Sequence, residues 1–261
     1  MPDERWGPAV AALRAAGCVF AEDEADVLLA SAASDDHLAA MLARRVAGEP
    51  LEHVVGWALF DGLRVAVGPG IFVPRPRSVA LVGLATSLAG PGAVVLDLCC
   101  GSGALGLAVA TRVPGVVLHA SDLDPVAAAC ARRNLAGVGG TVHVGDLFAG
   151  LPPALRGRVD VVVANVPYVP HDELRLLPHE AREHEPAAAL DGGGDGLDVL
   201  RRVAERVGEW LAPGGSLLSE VTPAQRAAAL AALRAGGLAA RAAEAADDDE
   251  TVVVVGTRPA G

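Results

Sequence analysis

From residue 93 onward the chain alternates short β-branched runs with helical patterns, and this alternation is the strongest constraint on its fold. The strand-like runs are Val94–Leu98, Val116–Ala120, Val142–Val144, Val159–Ala164, Ser216–Glu220 and Val252–Val255. Helical spacing covers Gly103–Arg112, Pro125–Asn134, Leu197–Leu211 and Ala224–Ala235, and the Ala-rich stretch 224–246 keeps a helical period. Strand following helix in this way predicts a doubly wound α/β sheet. Runs as apolar as Val159–Ala164 belong to strands buried on both faces, and such sheets hold ligands at the C-terminal ends of their strands. The acidic turn Asp247–Glu250 precedes the last strand.

Upstream the pattern differs. Residues 8–48 carry apolar positions at helical spacing (Val10, Leu13, Ala16, Ala25, Leu28, Leu29), and Ser34-Asp35-Asp36 marks a helix start before His37–Val46. Asp61-Gly62 between two short apolar runs is a hairpin signal. Pro69-Gly70 and Pro74-Arg75-Pro76 then punctuate the path into a helix from about Ser78. The predicted organisation is a helical unit over 1–54, a β-hairpin link over 55–76 and the sheet domain over 77–261. A length of 261 residues suits one large domain with a small appendage.

Composition narrows the function classes. The chain is 52% hydrophobic but only 3% aromatic, so its core is built from small aliphatic side chains. A net charge of -11 without a basic cluster argues against tight binding to a nucleic-acid backbone. Cys18, Cys99, Cys100 and Cys130 lack metal-ligand spacing, and a reducing cytoplasm is expected. The first residues lack the apolar core of a secretory signal. Ser78–Leu96 is uncharged, yet Gly90-Pro91-Gly92 divides it into helix, turn and strand, so no membrane span is expected. His179 and His184 have no matching ligand set and read as surface residues. Cys18 and Cys130 read as core fillers, and Trp6, Trp57 and Trp210 as packing.

Two strand ends carry the chemistry. After the first run comes Asp97-Leu98-Cys99-Cys100-Gly101-Ser102-Gly103, where glycines allow a ligand close to the backbone and the next helix offers free N–H groups. Gly101, Gly103 and Gly106, with Asp122 about 20 residues on, also satisfy the dinucleotide fingerprint of a nicotinamide dehydrogenase. Asp97 opposes that reading, because it would set a carboxylate near a pyrophosphate. Carboxylates after three successive strands suit S-adenosylmethionine instead: Asp97 toward the methionine amino group, Asp122 toward the ribose hydroxyls and Asp146 toward the adenine amine. The bland alternative for each is a strand-end or capping residue. The second strand end is Asn165-Val166-Pro167-Tyr168, which contains the only tyrosine of the chain. It reads equally as a Pro-turned strand end with a packed Tyr or as an active-site loop.

With these residues in view, the chain resembles the class I methyltransferases that modify the glutamine side-chain amide of peptide-chain release factors. Their Asn-Pro-Pro-Tyr motif corresponds to Asn165-Val166-Pro167-Tyr168. Further similar segments, in the same order, are Gly48–Gly56, Phe60–Leu63, Pro69–Pro76, Glu185–Leu190, Asp195–Leu197, Leu211–Gly215 and Glu220 with Gln225. The chain departs from the family at Val166, at Cys99 (usually Gly), at Arg77 and Val79 (usually acidic) and in its tail. The resemblance implies a Rossmann-like methyltransferase sheet and S-adenosylmethionine held by Asp97, Cys99, Gly101, Gly103, Asp122, Leu123, Asp146, Leu147 and Asn165. It also implies a protein substrate, a release factor, recognised by the helical unit; from the residues alone that unit reads equally as a stabilising cap.

The amide would be clamped by the Asn165 side-chain oxygen and the Val166 carbonyl, with Pro167 and Tyr168 walling its plane. Methylation of an exocyclic amine on adenine or guanine is the competing activity, and a non-catalytic interaction protein retaining the fold is the competing class.

Overall fold

The computed structural model describes residues 3–244 and 251–260, so the acidic turn at 247–250 lies outside the described residues. Four helices open the chain: α1 (Trp6–Ala15), α2 (Ala21–Ser31), α3 (Asp35–Val46) and α4 (Leu51–Val55). They bury a cluster of their own, including Val10, Leu13, Leu28, Leu38, Met41 and Val54. The Ser34 side chain caps α3 by accepting from the His37 N–H at 3.2 Å. Arg45 on α3 is buried and pairs with Glu24 and with Glu180, both at 2.6 Å, which ties these helices to a segment far along the chain.

The hairpin follows. Strands β1 (Trp57–Phe60) and β2 (Leu63–Ala66) are antiparallel, with Phe60 opposite Leu63. Asp61 and Gly62 have φ of 52° and 75°, the left-handed pair that a two-residue turn requires. Phe60 and Val65 sink into the main core. The Asn134 side chain accepts from the Ala66 N–H and donates to the Ala66 carbonyl, both at 2.9 Å, as a neighbouring strand would.

The main sheet has seven strands: β3 (Val94–Leu98), β4 (Val117–Asp122), β5 (Thr141–Val144), β6 (Val159–Ala164), β7 (Leu211–Val221), β8 (Ala239–Glu244) and β9 (Val252–Thr257). Their spatial order is β5-β4-β3-β6-β7-β9-β8. β3 to β7 pair in parallel, while β9 is antiparallel to both β7 and β8. The principal helices on the sheet are α5 (Val79–Leu88), α6 (Ala104–Arg112), α7 (Pro125–Leu135), α9 (Asp198–Val207) and α10 (Arg226–Ala235), with the short α8 (His179–His184) before α9. Successive strand residues face opposite layers. Val95, Val161 and Val163 pack in the layer of α5 and α6, whereas Leu96, Leu98, Val162 and Ala164 pack with Leu200, Val203 and Leu233 of α9 and α10. Trp210 is fully packed in that second layer, stacked on Phe148.

Two expectations are corrected. The helix expected over Leu197–Leu211 stops at Val207, before Gly208, and Leu211 already pairs with Val159 in the sheet. The helical period expected across 224–246 also breaks. α10 ends in a double-bonded glycine cap, with Gly237 at φ 79° donating to Arg234 and Leu238 donating to the Leu233 carbonyl. The alanines beyond it form β8, opposite the valines of β9. A free valine-strand edge overrides the weak β preference of alanine. No helix among the described residues is long and apolar enough to cross a membrane.

Candidate active site

β3 and β6 are adjacent, with Asp97 beside Val163 and Leu98 beside Ala164. Because β4 lies on the other side of β3, the chain reverses its winding here, and crevices in open sheets form at such a point. The loops leaving β3 and β6 line one cavity of about 630 Å³, within the range of small-ligand sites. Cys99, Gly101, Asp122, Leu123, Asp146 and Leu147 line one end of it. Asn165, Val166, Pro167 and Tyr168 line it as well, as do residues of the linker and of the segment before α9.

Gly101 has φ 54° and donates its N–H to Asp122 Oδ2 at 2.8 Å, so the loop after β3 is anchored on the acidic residue that ends β4. The other oxygen of Asp122 accepts from the Asp124 N–H at 2.9 Å. Burial pushes this carboxyl above the usual carboxylate range, despite those backbone donors. Each oxygen keeps a second lone pair for a hydroxyl donor. Leu123 beside it is exposed, an apolar surface in the cavity wall. Asp146 also lines the cavity, but its carboxylate is paired with Arg202 at 2.6 Å across the rim. Cys99 adopts φ 58°, a left-handed conformation that costs a side-chain-bearing residue and that glycine would adopt freely. Burial, with the nearby Asp122 and Asp97 carboxyls, pushes its thiol up to about 12, so it is a wall and not a nucleophile.

Two of the expected contact residues do not line the cavity. Asp97 is fully buried behind the loop and does not line the cavity. Its Oδ2 accepts from the Gly106 N–H at 2.8 Å, and its Oδ1 has no partner among the described residues. Asp97 therefore pins the start of α6 against the sheet and supports the loop from behind. Gly103 does not line the cavity either. A side chain there would press on Ala131 and Leu135 at 3.2 Å, so its smallness serves the packing of α6 on α7.

Burial pushes the Asp97 carboxyl up to about 8. Its stabilising contribution is therefore complete below about pH 4, where the unfolded chain also holds this proton, and is lost as pH rises through about 8. Asp97→Asn keeps an acceptor for Gly106 and removes this dependence. Urea midpoints of the variant minus those of the parent should increase between pH 4 and 8; a difference independent of pH would refute the assignment.

The loop after β6 is held by hydrogen bonds from four directions. Asn165 Nδ2 donates to Ser78 Oγ at 3.2 Å, and Ser78 Oγ donates to Glu220 Oε2 at 2.7 Å. Tyr168 donates its hydroxyl to Glu220 Oε1 at 2.8 Å and accepts from Arg77 Nη2 at 2.7 Å. Arg77 Nε in turn meets Glu220 Oε1 at 3.1 Å. Burial and the Glu220 carboxylate drive the Tyr168 phenol well above its ordinary value, so it keeps its proton. From behind, Gln225 Nε2 holds the Tyr168 carbonyl at 2.8 Å and the Asp195 carbonyl at 3.0 Å. Val169 and Asp191 form a parallel bridge, which seats the glycine loop before α9 against the same turn. At the rim, Arg75 grips both oxygens of Glu185 at 2.7 and 2.6 Å, joining the linker to the end of α8. His179 is exposed and His184 half-buried. No metal-holding group of three or more acidic, His or Cys side chains exists among the described residues.

In the sequence Ser78 signals only a helix start. Its contact with Asn165 spans 87 positions, and no local spacing signals such a pair. Glu220 and Gln225 stood out only through the family resemblance.

A mostly parallel sheet with its cavity at the β3/β6 switch point, a glycine loop on one strand and Asn-Val-Pro-Tyr on its neighbour, defines a methyltransferase fold. The chain belongs to the methyltransferase small domain family, whose model matches residues 65–206. Among curated proteins it is 42% identical over 184 residues to the release factor glutamine methyltransferase of Streptomyces coelicolor, covering 69% of this chain and 65% of that protein. It is 38% identical over 205 residues to the 4-amino-L-phenylalanine/4-methylamino-L-phenylalanine methyltransferase of Streptomyces pristinaespiralis, covering 74% and 68%. The chain thus spans about two thirds of the length of these relatives. A methyltransferase crystal structure from Pyrococcus furiosus shares the fold, with a TM-score of 0.58 at 16% identity, covering 76% of this chain and 90% of that one.

Proposed function

We propose that the chain transfers a methyl group from S-adenosylmethionine to the side-chain amide nitrogen of a glutamine in a protein, a peptide-chain release factor. The observation that carries this reading is the shared cavity. Asn165 and Val166 line it together with the glycine loop, on strands that are hydrogen-bonded neighbours.

The cavity fits the cofactor by its donor set. Cys99 and Gly101 would hold the methionine end with their backbone, Asp122 would accept from the ribose hydroxyls, and Leu123 and Leu147 would give apolar faces to the adenine. Asp146 would meet the adenine amine only while sharing its carboxylate with Arg202. When bound, S-adenosylmethionine supplies an electrophilic methyl group.

The protein's task is then to aim a poor nucleophile, since the amide lone pair is delocalised into its carbonyl. Asn165 Oδ1 and the Val166 carbonyl accept the two substrate N–H groups and fix the orientation of the nitrogen. Acceptors in a dry site also stabilise the positive charge that nitrogen gains in the transition state. The position of Val166 contributes a carbonyl, which any residue provides, so the absence of the family's proline leaves this role intact. Tyr168 and Pro167 wall the amide plane, and the protonated phenol of Tyr168 is no base at neutral pH. Pro50 and Glu52 of the helical unit line the same cavity, as do Leu177, Pro178, Glu180 and Ala181 around α8, which supports the unit over 1–54 as a substrate-recognition element.

The test is incubation of the purified chain with isotopically labelled S-adenosylmethionine and the release factors of its host, followed by peptide mass mapping. Label on a single glutamine amide is expected. Label on nucleic acid alone, or on no protein, would reject the reading.

A further inference from the structure

The amide of Asn165 can serve as an acceptor only if its oxygen, and not its NH₂, faces the cavity. The two ends of a carboxamide differ in polarity but hardly in shape, so packing alone does not choose between them. The choice follows from a ledger of donors. Glu220 is almost wholly buried, and its Oε1 accepts from Arg77 Nε at 3.1 Å. The Tyr168 hydroxyl also points its hydrogen at Oε1. The remaining oxygen, Oε2, lies 2.7 Å from Ser78 Oγ, so the Ser78 hydrogen is committed to it. A hydroxyl whose single hydrogen is used can only accept from its next neighbour. That neighbour, 3.2 Å away, is the Asn165 side chain, which must therefore turn its NH₂ toward Ser78.

We infer that Ser78 is a positioning residue: the chain of bonds from Arg77 through Glu220 and Ser78 to Asn165 fixes the flip of the Asn165 amide and so presents Oδ1 to the cavity. This inference rests on the amide-methylating reading above. It sharpens that reading, because a fixed acceptor pair accommodates a planar NH₂ nucleophile and opposes a nucleophile that presents lone pairs to the same spot. It also gives a use to Arg77, a departure from the family's acidic residue, since its guanidinium occupies Glu220 Oε1 and leaves Oε2 to Ser78. Ser78 itself is nearly inaccessible, at 2% exposure, so no water replaces its hydroxyl cheaply.

The chain offers an unusually direct readout. It contains two asparagines, Asn134 and Asn165, and one glutamine, Gln225, hence three side-chain amide pairs in a ¹⁵N correlation spectrum. Ser78→Ala should shift the Asn165 pair and speed its exchange with solvent, leaving the Asn134 and Gln225 pairs in place. Ser78→Thr, which keeps the hydroxyl, should restore the parent spectrum. In parallel, kcat on the glutamine substrate should fall at least about 10-fold in Ser78→Ala, equivalent to ~1.4 kcal/mol. Ser78→Thr should recover most of it, with calorimetric affinity for S-adenosylmethionine little changed in both variants and the thermal midpoint, lowered in Ser78→Ala by the orphaned Glu220 Oε2, restored in Ser78→Thr. Unchanged Asn165 amide signals in Ser78→Ala, or a Ser78→Thr variant as impaired as Ser78→Ala, would overturn the relay. Absence of glutamine methylation by the parent chain would instead overturn the functional reading, and the spectra alone would then decide the relay.

Discussion

Asn165→Ala is expected to lower kcat for methyl transfer about 100- to 1,000-fold, the usual effect of deleting one preorganised polar group at the reacting centre. The substitution removes the acceptor facing the substrate N–H and abandons Ser78, whose acceptor site then has no donor. It leaves the glycine loop and its anchor on Asp122 untouched. Calorimetric affinity for S-adenosylmethionine should therefore stay close to that of the parent, and the loss should lie in kcat more than in KM. Turnover within a few-fold of the parent would remove Asn165 from the active site. A parallel collapse of cofactor affinity would instead mean that the side chain supports the cavity and does not aim the amide.

Gly196→Ala should be as damaging, for a different reason. Gly196 has φ 80°, and a methyl group there would collide with the Tyr168 carbonyl and with Gln225 Nε2. The strain and the collision act on the very bond by which Gln225 holds the turn after Tyr168. A loss of roughly 2–4 kcal/mol in urea-derived stability is expected. Activity should fall even where the fold persists, because the turn must move. Gly194 is the internal control: it lies in the same loop, a methyl group there meets nothing within 4 Å, and its φ is not left-handed. Gly194→Ala should change stability by no more than about 0.5 kcal/mol. Equal effects at the two positions would mean that the loop is merely stiff, and that its contact with Tyr168 is incidental.

The degree to which sequence foretold structure divides along the range of the interactions involved. Val159–Ala164 and Asp61-Gly62 announce themselves through local pattern, and both occur where expected. The strand at Ala239–Glu244 does not, because alanine is a helix former and only the distant valines of β9 make it a strand. The same limit applies within the site. A glycine loop and Asn-Val-Pro-Tyr are contiguous motifs, and both were legible. Whether Asp97 faces the cavity or the back of the loop depends on how α6 settles on β3, which no spacing encodes. Ser78, Glu220 and Gln225 come from separate elements and acquire meaning only where β6, β7 and the start of α5 converge.

The adjacency of β3 and β6 has a consequence for how such an enzyme diversifies. The loop that would cradle the donor and the loop that would present the acceptor spring from strands locked in register by backbone hydrogen bonds. Their spacing is thus a property of the ladder, about 4.8 Å between strands, and not of any side chain at the rim. The parts that would meet the proposed substrate's surroundings, α1 to α4 and the stretch around α8, are tied together and to the linker by replaceable ion pairs such as Arg45 with Glu180 and Arg75 with Glu185. Selection can therefore remodel what enters the cavity while the spacing of the two loops stays unchanged.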